Sequence, residues 1–280
     1  MTGLWRDRRG RLGTVVLILA ALVALAAPRV TNGHPDRQAD VARTRFLPPL
    51  ATDVHGDWHP LGTDRFGRDV WTRLAYGARI SLGVGALAVA ISVSLGCLVG
   101  GAAGASRGWL SHGLMAATDF ALALPRVVLL LLLAALWRPS AVLVIVVLGL
   151  TGWMSIARLV YGEVRSLAAR GFAESAWALG ATRGRVLWRH LIPNALTPVI
   201  VAAALGVGNA ILLEAGLSYL GLGVQAPTAS WGTMIASGAD TLVNAPWVAA
   251  APSLALVLVV IACTLVGDAL RDRAAPAATR

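Results

Sequence analysis

Six predominantly apolar runs, separated by shorter polar stretches, set the pattern of this chain: residues 12–27, 81–105, 114–136, 141–161, 195–217 and 247–266. A helix of about 20 apolar residues crosses a hydrocarbon core of about 30 Å. The pattern therefore predicts an all-α, polytopic membrane protein with six transmembrane helices. The first run is the shortest and follows Arg6, Arg8, Arg9 and Arg11. It reads either as a short first membrane helix or as a cleaved signal peptide leaving after Ala24, Leu25 and Ala26.

Several positions inside the runs break the apolar monotony. Residues 81–105 carry no charge, and Ala88, Ser92, Gly96, Gly100, Gly104 and Gly108 recur every fourth residue. That spacing draws a strip of small side chains down one helix face, the signature of a close helix contact, with Gly96, Gly100 and Gly104 at its centre. The third run contains Asp119, Pro125 and Arg126. Asp119 and Arg126 fall on nearly the same face, and Pro125 is expected to distort the helix. Asn209 lies near the middle of the fifth run and Glu214 near its end. Polar and charged groups in a span are functional candidates by default, so Asp119, Asn209 and Glu214 are candidate pore or gating residues. The plainer readings are a structural polar contact for Asp119 and an interhelical hydrogen bond for Asn209. Glu214 would face either the pore or the membrane interface.

The polar stretches carry the orientation. Residues 158–190 contain Arg158, Arg165, Arg170, Arg183, Arg185 and Arg189, whereas 215–246 contain no arginine. By the positive-inside rule the first stretch is cytoplasmic and the second external, which places both termini in the cytoplasm. Residues 29–80 strain the rule with eight arginines, but six aspartates accompany them. In that segment Thr63 or Asp64 caps a helix on which Phe66, Val70 and Leu74 recur at four. In the cytoplasmic stretch, 173–179 reads as a short helix, Gly180 as its left-handed cap, and 182–190 as a second helix stopped by Pro193. Phe172, Ala176 and Leu179 fall on one face of the first, an apolar ridge offered to something outside the chain. Residues 217–232, rich in Gly and carrying Pro227 and an exposed Trp231, read as a folded-back loop.

Composition agrees and narrows the chemistry. The 280 residues are 57% hydrophobic and 14% charged, with a net charge of +10. All 24 basic residues are arginine, so the lysine that a Walker A phosphate loop needs is missing. The basic excess belongs to membrane-facing loops and does not imply nucleic acid. Cys97 and Cys263 stand isolated in apolar runs, and His34, His55, His59, His112 and His190 all lie outside the spans. No Ser–His, paired-carboxylate or His-Glu-x-x-His arrangement points to an intramembrane hydrolase. A secondary transporter would want more coupling charges within its spans.

Four motifs carry a family resemblance. Glu174-Ser175-Ala176, then Gly180, then Arg189-His190-Leu191-Ile192-Pro193-Asn194-Ala195 resembles the cytoplasmic "EAA" loop of ABC importer permeases, with Ser175 and His190 as departures. Leu61-Gly62-Thr63-Asp64 followed by Gly67-Arg68-Asp69, the segment from Leu217 to Gly232, and Gly267-Asp268-Ala269-Leu270-Arg271-Asp272 are similar to the dipeptide, oligopeptide and nickel branch. Together they cover residues 58–273 in order.

The resemblance implies a six-span permease subunit with a cytoplasmic coupling-helix loop between the fourth and fifth spans, a retained first helix, and no enzymatic or cofactor chemistry of its own. It also implies a second permease, two cytoplasmic ATPase subunits holding ATP and Mg, an extracytoplasmic solute-binding protein, and a place in the bacterial plasma membrane among its lipids. The docking loop would use Phe172, Glu174, Ala176, Leu179, Gly180 and Pro193. The implied division is an N-terminal helix, extracytoplasmic loop and lead-in helix over 1–80, a permease core over 81–273, and a cytoplasmic tail over 274–280. The implied cargo is a di- or oligopeptide, with nickel or a nickel chelate as the alternative.

Overall fold

The computed structural model describes residues 7–274 except 32 and 39, so most of the expected tail lies outside the described residues. The side chains of Arg126, Ala134, Glu174, Trp177, Arg183 and Ala274 also lie outside what is described. In chain order the elements are α1 (Arg8–Val30), α2 (Val41–Thr44), β1 (Ala51–Thr52), β2 (Trp58–His59), α3 (Val70–Ala105), α4 (Trp109–Ala123) and α5 (Arg126–Leu136). There follow α6 (Ala141–Ala168), α7 (Gly171–Ala178), α8 (Arg183–Val186), a π-helical turn (Leu187–Leu191), α9 (Ile192–Tyr219), α10 (Trp231–Ala239) and α11 (Trp247–Ala274).

Among the described residues five helices are long and apolar enough to cross a membrane, and α4 with α5 makes a sixth crossing if the pair counts as one bent span. The third run is thus not one helix: its halves meet at 84°. Pro125, which has no N–H and clashes with the preceding turn, stands at the N-cap of α5 where the first half has ended.

A second correction concerns Pro193. It does not stop a helix, because 184–219 is helical throughout and Pro193 sits in the first turn of α9. The widened π turn before it absorbs the lost hydrogen bond: the Ile192 N–H donates to the Leu187 carbonyl, and Asn194 Nδ2 donates to the His190 carbonyl at 2.6 Å.

The small-residue strip of α3 packs along α6. A Cβ on Gly100 would overlap the Ala157 carbonyl, one on Gly96 would come within 2.5 Å of Ile156 Cβ, and one on Gly104 within 2.8 Å of Val164 Cβ. Ser92 Oγ donates to the Gly149 carbonyl at 3.0 Å on the same face. Gly108 is not part of the strip, since it lies beyond the end of α3 at φ 71°. α1 is packed into the bundle: a Cβ on Gly13 would stand 2.7 Å from the Ala262 carbonyl of α11, and Trp71 Nε1 of α3 donates to the Val30 carbonyl.

The bundle has two unlike ends. One carries α7, α8 and the π turn; the other carries the cap of residues 33–69 together with 220–246.

Candidate functional site

At the first end, residues 169–191 form a loop pinned to the spans by a few apolar side chains. Ala173, Val186 and Leu191 are buried with Val164 and Leu167 of α6 and with Ala195 and Val199 of α9. Gly180 takes φ 85°, in the left-handed region that a side chain resists, and the Ala181 N–H closes the turn on the Ala176 carbonyl at 3.0 Å. The ridge differs from the sequence expectation in one member. Ala176 turns inward and packs against the buried cluster, while Phe172 and Leu179 face out, Leu179 at 89% exposure. Trp188, which sequence reasoning passed over, is exposed on the same loop, as are Arg185 and Arg189. Of the other docking candidates, Pro193 is within the fifth span, and the Glu174 side chain lies outside the described ones. The loop thus exposes large apolar side chains together with arginines.

At the opposite end, the segment Leu61–Asp69 is a tight knot rather than a helix. Gly67 at φ 72° breaks any helix there, and Asp64 uses its carboxylate on the turn itself. Asp64 Oδ1 accepts from the Phe66 and Arg68 N–H groups, and Oδ2 accepts from Arg68 Nε at 2.7 Å. Thr63 Oγ1 donates to the Thr44 carbonyl and accepts from the Leu47 N–H. The helix starts at Val70 with Asp69 as its cap, accepting from the Thr72 N–H at 2.7 Å. Asp69 also meets His59 Nδ1 at 2.8 Å. Buried Arg73 ties in the rest, donating to the Pro35 carbonyl at 3.1 Å and to Asp36 Oδ1 at 3.2 Å. Burial alone would raise the Asp53 carboxyl, but the N–H groups of Asp57 and His55, with His59 alongside, outweigh it and hold the group below its ordinary value. Four of the eight arginines of residues 29–80 are therefore matched: Arg68 and Arg73 with Asp64 and Asp36, and Arg37 and Arg43 with Asp57 and Asp40.

Glu214 sits beneath this cap and is fully buried at 0% exposure, so it faces neither a pore on this chain nor the interface. Its Oε2 accepts from Ser81 Oγ at 2.8 Å and its Oε1 from Ser218 Oγ at 2.7 Å. Each serine in turn accepts a backbone N–H from the folded-back segment, Ser81 from Trp231 at 3.2 Å and Ser218 from Val224 at 3.0 Å. Trp231 is 2% exposed, contrary to the sequence expectation, because its ring joins the core around Ile211 and its Nε1 donates to the Leu74 carbonyl. Asn209 is exposed on α9, and Asp119 of α4 meets Arg158 of α6 at 2.6 Å. Arg158 is thus a partner that the fold brings to Asp119 from 39 residues away. Between the cap, α3 and the folded-back segment lies an open cleft of ≈ 350 Å³ that includes Asp36, Tyr76, Arg79 and Thr228 in its wall.

A family model described as "binding-protein-dependent transport system inner membrane component" matches residues 75–280. The chain belongs to that family. It is 38% identical over 269 residues to a putative peptide transport system permease protein of Brucella abortus, covering 96% of this chain and 88% of that one. It is 34% identical over 271 residues to a dipeptide transport system permease protein of Alkalihalophilus pseudofirmus, covering 97% and 86%. It is 33% identical over 281 residues to an oligopeptide transport system permease protein of Bacillus subtilis, covering 98% and 90%. The permease is thus a multi-pass membrane protein. Its family match begins at residue 75, past the 61–69 knot, while the relatives' alignments span nearly the whole chain.

Proposed function

We propose that this permease is the membrane passage of an ATP-driven importer for short peptides. It works beside a second permease subunit, with two cytoplasmic ATPase subunits that bind and hydrolyse ATP with Mg, and with an extracytoplasmic solute-binding protein that delivers cargo. The observation that carries the reading is the loop of residues 169–191. Its backbone is locked to α6 and α9 by Ala173, Val186 and Leu191, while Phe172, Leu179 and Trp188 are exposed among the described residues. Such a surface transmits a push from a docked subunit to two spans at once. The peptide class is supported by the functions named for the three relatives above. The arginine imbalance supports a cytoplasmic loop, an external cap and a cytoplasmic N-terminus, and the packing of α1 on α11 supports a first helix that is retained.

The test is ATP-dependent uptake by the full complex in proteoliposomes. Short peptides are expected to enter when the binding protein is supplied, and Leu179→Glu with Phe172→Glu is expected to abolish uptake while the ATPase subunits still bind nucleotide. Uptake of nickel or its chelate, without response to any di- or oligopeptide, would overturn the cargo. Normal uptake by the double variant would remove the loop from the mechanism. Orientation is read in intact cells lacking Cys97 and Cys263: Gln225→Cys should react with an impermeant thiol reagent and Gly184→Cys should not.

A further inference from the structure

The break between α4 and α5 has a physical consequence for where water must stand. α4 ends at Ala123, α5 begins at Arg126, and the two axes diverge by 84° across Leu124 and Pro125. Ending a helix leaves its last carbonyls without intrahelical partners, and beginning one leaves its first amides in the same state. The ordinary ladder resumes only where the Leu129 N–H reaches the Pro125 carbonyl at 3.0 Å. In hydrocarbon no water exists to satisfy such groups, so irregular backbone at membrane depth stands only where protein buries it or where it lines a wet cavity. Nothing among the described residues buries the elbow. Phe120 is 73% exposed, Leu124 and Val127 are exposed as well, and only Ser111 and Thr118 of α4 are buried.

A second, independent observation chooses between the two kinds of cover. One residue before Phe120, Asp119 pairs with Arg158 of α6 at 2.6 Å, and the side chains keep 48% and 58% of their surface open. That single contact is the only partner either has among the described residues. Four guanidinium N–H donors and one carboxylate oxygen are left to the surroundings. Arg158 opens the arginine-rich stretch read as cytoplasmic, so the pair stands toward that end of the spans, where a dry, apolar subunit interface would strip water from it without replacement. Water satisfies both the pair and the elbow.

We propose that the elbow at Leu124–Pro125 and the Asp119–Arg158 pair form part of the water-filled wall of the translocation passage. This rests on the importer reading above, but not on the identity of the cargo. α4 therefore contributes its 119–125 segment to the passage, and the bend lets its exposed apolar side chains flank that segment without sealing it. Arg158 lies ten residues before the end of α6, on the helix that leads into the docking loop, so the wall and the loop share one rigid element.

The test is thiol accessibility in the assembled complex. Phe120→Cys and Leu124→Cys are made in a background lacking Cys97 and Cys263, reconstituted with all partners, and exposed to a small, permanently charged methanethiosulfonate. Leu258→Cys, on the exposed apolar face of α11, serves as the reference. We expect at least one elbow position to react at least 10-fold faster than the reference, with a rate that changes severalfold between the nucleotide-free and ATP-trapped states. Reaction as slow as the reference in both states would overturn the proposal by placing the elbow in lipid. Slow reaction together with efficient disulfide cross-linking to the second permease would overturn it in favour of a subunit interface. Labelling does not require any particular substrate. If peptides are not carried yet the elbow labels in a nucleotide-dependent way, the cargo assignment fails and the wall stands.

Discussion

Ser81→Ala isolates the buried network under the cap in one substitution. The Ser81 hydroxyl donates to Glu214 and accepts the Trp231 N–H, and all three groups are shut off from water. Removing Oγ leaves one carboxylate oxygen and one backbone N–H without these partners, and a buried polar group left unsatisfied costs about 1–3 kcal/mol. Two such groups give an expected loss of about 2–4 kcal/mol, allowing for some relaxation. Ser94→Ala is the internal control, because that exposed hydroxyl only bonds back to the Ala90 carbonyl of its own helix. It should change stability by no more than about 0.5 kcal/mol. Unfolding of the purified permease by SDS titration in mixed micelles reads both. Ser218→Ala should resemble Ser81→Ala, and the two together should fall short of the sum, since both act on one carboxylate. Equal, small effects for Ser81→Ala and Ser94→Ala would refute the view that Glu214 fastens the folded-back segment to α3.

Gly100→Leu should loosen the α3–α6 contact by at least the about 1–3 kcal/mol typical of overpacking, since its Cβ alone already meets the Ala157 backbone; SDS titration of the same kind checks this, and an unchanged midpoint would place Gly100 off the contact. Gly180→Val should lower uptake severalfold with nucleotide binding by the ATPases intact, because φ 85° costs a β-branched residue about 1–3 kcal/mol. Gly180→Asn, which tolerates that conformation better, should recover part of the loss. Asp53 is held below its ordinary value, so it stabilises the cap at neutral pH, and that contribution fades as pH falls through the acid range below about 4. Asp53→Asn should therefore make the cap's hydrogen–deuterium exchange faster at pH 7 and less dependent on pH between 5 and 3; an unchanged profile would remove Asp53 from the cap's support.

The long spans were legible because their cause is local: a helix that must cross hydrocarbon needs an unbroken apolar run, and runs are visible in one dimension. The strip from Ala88 to Gly104 was legible for the same reason, since a period of four is a property of one helix. What sequence reasoning missed involves partners far apart in the chain. Arg158 is 39 residues from Asp119, and Glu214 is 133 from Ser81, so neither pairing leaves a spacing to read. Helix signals also misled where one residue had two possible uses. Asp64 is a good cap by type, yet with Gly67 three residues on it closes a turn instead, and Asp69 does the capping. Pro193 is a helix breaker by type, but in the first turn of α9 its missing N–H matters little after a π turn. Trp188 escaped notice because one tryptophan beside arginines has no period; only the burial of Val186 and Leu191 on either side turns it outward.

The arginines of the cap bear on how the two ends of the permease communicate. Taken as free charges they contradict an external position, but Arg68 and Arg73 are consumed in closing the knot around Asp64 and Asp36. They act as cross-links, so the cap is a firm block seated on the first turns of α3. From there α3 is continuous to Ala105, and along the way Ser92, Gly96, Gly100 and Gly104 hold it backbone-close to α6. α6 ends in the same buried cluster that pins Ala173, Val186 and Leu191 of the 169–191 loop. The loop and the cap are therefore joined, through α6 and α3, by continuous helix and close backbone packing. The route through α9 is different, for it begins with the π turn at Leu187–Leu191, where the helix is locally widened. The stiff path and the yielding path leave the loop side by side. On the importer reading, a stroke applied at Leu179 and Trp188 enters α6, the helix that carries Arg158 to the elbow, through the buried cluster, and enters α9 through the π turn.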